Sequence, residues 1–417
     1  MKIGKLTEFN ENTYSSLKYF LKAHNCLSCC LNFLFNFAFI VIKRIKRWSR
    51  KSSEKKLQNK IKMYKQCQKK IFYSDDKLVQ ARTVQDLLKR AGIEAELVKE
   101  IKKDCALYFI VEAAETYPDQ YILMTTESLN VVEKSIAMAC QNLETLESYK
   151  SRGIIFSKLF FCPISVFHST DDFYFYRLLL AFEIISFETF FQLTSSFFSF
   201  KNSKGVCLSL IESSERRNYF KSINKYGFDF FDGLRHQEGW IGCGLSYKFL
   251  IRLAQRDSMH LITILEDDVI LEENFRERYE EIMSFLSSRD DWDIFSGLMA
   301  YVSPELKVWG GATTLSRNFQ IVFTNQLVST VFNIYSKKTF EYILKWDEHS
   351  YNKETNQIDQ YLRKKANARY VTMIPFLVGH NELLNSLVNS SVADRYEEMI
   401  ELAELKLRKL VRFQRLS

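Results

Sequence analysis

The stretch LITILEDDVIL, Leu261 to Leu271, reads as a buried strand that ends in three consecutive carboxylates, Glu266, Asp267 and Asp268, before a second apolar run. In an open α/β sheet ligands bind beyond the carboxyl ends of the strands, which is where these acids stand. Adjacent carboxylates repel one another and raise one another's pKa unless a cation sits among them. A divalent ion removes that repulsion, and hard oxygen ligands suit Mn²⁺ or Mg²⁺, which keep open positions for the phosphates of a nucleotide. The plainer alternative is that the acids cap a following helix, whose dipole favours negative charge.

Working outward, Val206 to Ile211 reads as an earlier strand, followed by Glu215-Arg216-Arg217. Next comes Gly239-Trp240-Ile241-Gly242-Cys243-Gly244-Leu245-Ser246-Tyr247, which leads into a helical run from Phe249 to Ala254. Gly242-x-Gly244 begins a dinucleotide fingerprint but fails it, because Tyr247 holds the third glycine position and no distal ribose acid follows. Downstream stand Asp291-Trp292-Asp293, the apolar run Val331 to Ile334 with Ser336, and Ile358-Asp359-x-x-Leu362.

In this order the motifs resemble the glycosyltransferases of family 25, which include bacterial lipooligosaccharide β-galactosyltransferases and collagen galactosyltransferases. The shared pattern is Ser214-Glu215-Arg216-Arg217, then Gly242-Cys243 with Ser246, then Leu265-Glu266-Asp267-Asp268, and it covers about Val206 to Val388. Two positions depart from it. Tyr247 stands where the family carries histidine, and Leu384-Asn385-Ser386-Leu387 stands where it tends to carry a serine–acid pair.

The resemblance implies a GT-A-like fold, a UDP-sugar donor such as UDP-galactose, and inversion at the anomeric carbon. It implies a metal held by Glu266, Asp267 and Asp268, with Asp268 as first ligand and Asp267 as ligand or ribose partner. The metal would stabilise the leaving diphosphate as a Lewis acid. Arg216 and Arg217 would contact phosphate or the uracil-side loop. Gly242 and Gly244 would let backbone approach the donor, and Ser246 would sit at a helix N-terminus near phosphate or sugar. An inverting transfer needs a general base on the acceptor hydroxyl, and Asp359 is the candidate.

The chain has 417 residues, 47% apolar and 26% charged, with 4 Pro and 13 Gly, so it is globular and long enough for two or three folding units. Residues 1–65 are expected to form a membrane-associating helix and basic segment, 66–200 a smaller α/β (Rossmann-like) domain with a Phe-rich helical connector, and 201–417 the GT-A-like domain. Within the middle region, strands are expected at Lys70 to Tyr73, Ile93 to Val98, Cys105 to Val111, Tyr121 to Met124 and Ile154 to Pro163. Helices are expected at Leu78 to Ala91 and Val131 to Tyr149. Phe173 to Phe200, dense in Phe but interrupted by Arg177, Glu183 and Glu188, is expected to pack between domains.

The formal charge of +8 is local: Lys43 to Lys62 holds ten Lys/Arg against Glu54 alone, a net of +9, which leaves the rest of the chain at −1. A nucleic-acid enzyme carries its basic surface on the folded body, so nucleic acid is not the expected partner. Leu27 to Ile42, apolar and followed at once by basic residues and Trp48, suits a helix lying in or dipping into an anionic membrane surface. A buried N-terminal helix with a solvated basic face is the alternative. The positive side stays cytoplasmic, which places the body at the inner face of the cell membrane, and a cleaved signal peptide is not expected. Nine scattered cysteines fit a reducing compartment, and His236, His260, His349 and His380 show no ligand spacing.

The leading expectation is therefore a membrane-associated transferase that extends a lipid-linked or surface glycan. A catalytically inactive glycan- or partner-binding protein is the second reading, and phosphoryl or nucleotidyl transfer on the same metal–diphosphate logic is a third.

Overall fold

The computed structural model describes residues 52, 54–102, 104–111, 114, 117–124, 129–164, 170–316, 319–384 and 396–416. Leu27 to Ile42 and the first part of the basic run lie outside them. The chain divides into two compact units, Met1–Gln66 and Cys67–Ser417. In the first, residues 54–66 form a helix that exposes Lys55, Lys56, Lys60 and Lys62 and buries Ile61 and Tyr64. Among the described residues no helix is long and apolar enough to cross a membrane.

The second unit opens with strands β1 (Lys69–Phe72), β2 (Ala95–Val98), β3 (Leu107–Ile110), β4 (Tyr121–Leu123), β5 (Ala137–Cys140) and β6 (Leu159–Phe161). They form one parallel sheet in the order β2-β1-β3-β4-β5-β6. Its helices are α1 (Leu78–Arg90), α2 (Leu129–Lys134) and α3 (Leu143–Ser151). Helix α1 buries Ala81, Val84, Leu87 and Leu88, one stripe at helical spacing, and α3 starts at Asn142, whose side chain accepts from Thr145 N.

The expected helix from Val131 to Tyr149 is instead two helices flanking β5. All four β5 residues, Ala-Met-Ala-Cys, are buried. A strand covered on both faces loses the alternation that marks it in sequence, and Ala and Met are good helix formers, so the pattern misleads.

Helices α4 (Asp172–Ala181) and α5 (Phe187–Thr194) carry the Phe-rich segment. Helix α4 is buried nearly all round, as a core helix must be. Phe175 meets Phe109 of the first sheet with ring centroids 6.2 Å apart, and Phe173 meets Phe231 of the second at 6.0 Å. The segment thus fills the space between the two sheets.

The second sheet contains β7 (Val206–Ser209), β8 (Asp229–Asp232), β9 (Leu261–Glu266), β11 (Ile294–Ser296), β12 (Val308–Ser316), β13 (Phe319–Thr324), β14 (Phe332–Ser336) and β15 (Tyr370–Ile374). Their order is β12-β13-β15-β11-β14-β9-β7-β8, with β8, β7 and β9 parallel and β14 antiparallel to β9. A separate ribbon pairs β10 (Val269–Ile270) with β16 (Gly379–His380). The helices are α6 (Ser214–Ile223), α7 (Gly239–Arg256), α8 (Phe275–Ser287), α9 (Lys337–Leu344), α10 (Lys353–Asn356), α11 (Ile358–Arg363) and α12 (Tyr396–Leu416).

The glycine motif, expected to lead into a helical run beginning at Phe249, lies inside α7. Each glycine costs about 1 kcal/mol of helix propensity, and packing accounts for both. A Cβ on Gly242 would stand 2.8 Å from Leu234 O and 3.0 Å from His236 N, and one on Gly244 would stand 2.4 to 2.9 Å from the Trp346 ring. That indole is fully buried and donates to Asn356 O at 2.8 Å, so it has little freedom to retreat. Gly244→Ala is expected to lower stability by about 1–3 kcal/mol, read as a fall in the urea midpoint at unchanged slope; an unchanged midpoint would contradict this packing.

Candidate active site

Strand β9 delivers Glu266, Asp267 and Asp268 to the carboxyl end of the second sheet, at a cavity of about 200 Å³. Arg216 of α6, Ser246 of α7, Asp359 of α11, His380 of β16 and Tyr396 of α12 line the same cavity. Of the residues expected from sequence, the fold brings together Arg216, Ser246, Glu266, Asp267, Asp268 and Asp359.

The cation that three carboxylates require is first of all Arg216. Its Nε donates to Asp267 Oδ1 at 2.7 Å and its Nη2 to Asp268 Oδ2 at 2.7 Å, with all three residues buried. Ser209 Oγ donates to the other Asp267 oxygen at 2.7 Å, so both oxygens of Asp267 already accept hydrogen bonds within the protein.

Asp268 differs. His380 Nε2 lies 3.3 Å from its Oδ2, while its Oδ1 and His380 Nδ1 are buried with no hydrogen-bond partner among the described residues. Burial by itself would raise the Asp268 carboxyl, but Arg216 and then His380 draw it down to about 2. Burial and then Asp268 push Glu266 up to about 7. On Asp267 burial outweighs Arg216, so its value rises. Burial would lower His380, yet the Asp268 contact leaves it raised. Burial also raises Asp359, whose Oδ1 accepts from Gln360 N at 2.7 Å.

Ser246 stands mid-helix rather than at an N-terminus. Its hydroxyl donates to Gly242 O at 2.8 Å and accepts from Leu234 N at 2.8 Å, so it ties α7 to the loop before it. Gly242 makes room for that same loop. Arg217 does not line the cavity; it pairs with Asp232 and lies over the Phe230 ring at 4.7 Å. Tyr247 donates to Thr330 O at 2.9 Å and stands 3.4 Å from Glu266 Oε1, and burial and Glu266 hold the phenol protonated.

Sequence reasoning missed Ser209, His380 and Tyr396. His380 stacks on Tyr396 with centroids 4.6 Å apart. Spacing carried no signal for it, because the β10–β16 ribbon, together with the bond from Asn381 N to Asp268 O at 2.7 Å, is what brings it to Asp268.

The orphaned Asp268 Oδ1, with Glu266 lining the same cavity, fits a divalent cation. Among the described residues no three His, Cys, Asp or Glu side chains form a ready metal cage. The protein would therefore supply few ligands and leave the rest to substrate phosphates, as Mg²⁺ sites do. A second cavity of about 340 Å³ opens at the other ends of β7 and β9, and its only acid, Glu280, is paired with Arg276, so it lacks this chemistry.

Residues 212–345 match the family described as glycosyltransferase family 25 (LPS biosynthesis protein). Asp359, His380 and Tyr396 lie beyond the matched segment. No curated protein matches the chain.

Proposed function

We propose that the protein, a glycosyltransferase whose residues 212–345 match family 25, transfers a hexose, galactose being the expected sugar, from a UDP-sugar to a glycan of lipooligosaccharide or another surface polysaccharide. The observation that carries this reading is the convergence of Arg216, Glu266, Asp268, Asp359 and His380 on one cavity at the carboxyl end of the sheet.

Asp268, through its free Oδ1, and Glu266 would hold Mn²⁺ or Mg²⁺. When bound, the ion supplies Lewis-acid stabilisation of the departing diphosphate. Arg216 holds Asp268 ionised and oriented for that task. Asp359, raised by burial, is suited to accept the proton of the acceptor hydroxyl as its oxygen attacks the anomeric carbon and UDP leaves with the bonding pair. A single displacement of this kind inverts the configuration.

The basic run Lys43 to Lys62, of which Lys55, Lys56, Lys60 and Lys62 are exposed, supports a place at the anionic inner face of the cell membrane beside a lipid-linked acceptor. Incubating the full chain with a panel of UDP-sugars, with Mn²⁺ or with chelator, tests the reading. One donor should release UDP in a metal-dependent way. Silence with every donor, together with no metal-dependent thermal shift, would refute it.

A further inference from the structure

The described residues that line the proposed donor site begin at Leu208, yet the region before Lys201 is bonded to the loops that frame it. Two loops frame the cavity, one following β7 and leading to Arg216, the other following β8 and containing Gly233 and Leu234. Both are tied to residues that precede Lys201. Arg177 of α4 donates through Nη1 and Nη2 to the two Glu212 oxygens at 2.7 and 2.8 Å, and through Nε to Gly233 O at 2.7 Å. Phe161 N of β6 donates to Glu212 Oε1 at 3.0 Å. Lys150 of α3 donates to Glu212 O at 3.1 Å, and Glu147 accepts from Ser214 Oγ at 2.8 Å.

The second loop is held from both sides. Tyr174 donates to Asp232, and Arg235 reaches back to Leu159 O and Phe156 O while lying over the Phe160 ring at 4.1 Å.

Arg177 and Glu212 are completely buried. A buried ion pair is weak evidence for stability, since apolar residues of similar volume can replace one without loss; its best-attested use is to fix registry. Here Glu212 lies four residues before Arg216, the cation that organises Asp267 and Asp268. Gly233, whose carbonyl Arg177 grips, lines the cavity itself.

We infer that the parallel-sheet region braces the donor site through the loops that frame it, and that Arg177, Glu212 and Arg235 are positioning residues that set those two loops. The inference rests on the proposed donor-binding role of the cavity. It gives the region of residues 67–200 a task in the same reaction rather than a second activity.

The test uses the full chain with Arg177→Lys, and with Lys150→Met combined with Tyr174→Phe, a pair at partly buried positions that spares the fully buried ion pair. Four quantities are read: UDP affinity by calorimetry, donor KM and kcat, the thermal midpoint, and amide exchange over residues 210–217 and 232–236. Arg177→Lys should raise the UDP Kd and donor KM about tenfold, and the double variant about threefold. In both, kcat at saturating donor should change less than about twofold, and both loops should exchange faster. Loops that exchange as in the wild type would overturn the inference, as would losses of KM and kcat in equal proportion that follow the thermal midpoint. If the wild type binds no UDP, the proposed function fails instead, and loop exchange alone decides the positioning role.

Discussion

Replacing Arg216 by methionine is expected to cost about 3–5 kcal/mol of stability and to remove UDP binding. The guanidinium is the shared partner of Asp267 and Asp268, at 2.6 and 2.7 Å, and all three side chains are nearly excluded from solvent. Methionine keeps much of the volume but leaves two carboxylates buried beside Glu266 with only His380, on Asp268, to offset them, a situation in which breaking a buried pair is costly. Urea unfolding of the variant and of Arg217→Met separates this from a general effect of losing charge. Arg217 is bound to Asp232 and Phe230 outside the cavity, so its loss should cost about 1–3 kcal/mol and change UDP affinity by no more than about threefold. Equal stability of Arg216→Met and wild type would refute charge compensation by Arg216.

Asp268→Asn should lower turnover about 10²–10³-fold, the scale of removing one preorganised electrostatic contact at the reacting group. The amide preserves shape and can still accept from Arg216 through one oxygen, so the cost in stability should stay near 1–2 kcal/mol. What changes is the charge on Oδ1, the buried oxygen that has no partner among the described residues. The metal-dependent thermal shift should vanish with the activity. Asp267→Asn should behave in the opposite way, because both Asp267 oxygens are already bonded, to Ser209 and Arg216. It should lose more stability than rate. If both substitutions cost the same activity, the distinction between a structural and a functional carboxylate in this triplet fails.

Much of this was readable from residue order. The strand before Glu266 is apolar apart from Thr263 because residues 262–265, which point to both faces of the sheet, are all buried, and acids placed where such a strand ends fall where a doubly wound fold puts its ligands. Local chemistry failed where tertiary contacts decide. Ala137 to Cys140 became a strand because a sheet position was available to bury it. Gly239 to Tyr247 became helix because a neighbouring loop and the Trp346 ring needed the space of two missing side chains. His380 was invisible because its partner Asp268 is remote in sequence and joined to it through a two-residue ribbon. Arg217, adjacent to Arg216 and of the same type, points elsewhere because successive residues on a helix do not share a face.

The near-complete burial of α4 bears on how such a protein could be divided or recombined. A cut near Lys201 looks natural in the sequence, yet it would strip Phe231 and Phe249 of the rings of Phe173, Phe190 and Phe191 that cover them. The exposed aromatic face would favour self-association over folding. The portion that could be transplanted into another chain, or inherited as a block, is therefore Cys67 to Ser417 entire, and the family-matched segment within it is an inset rather than a free-standing module.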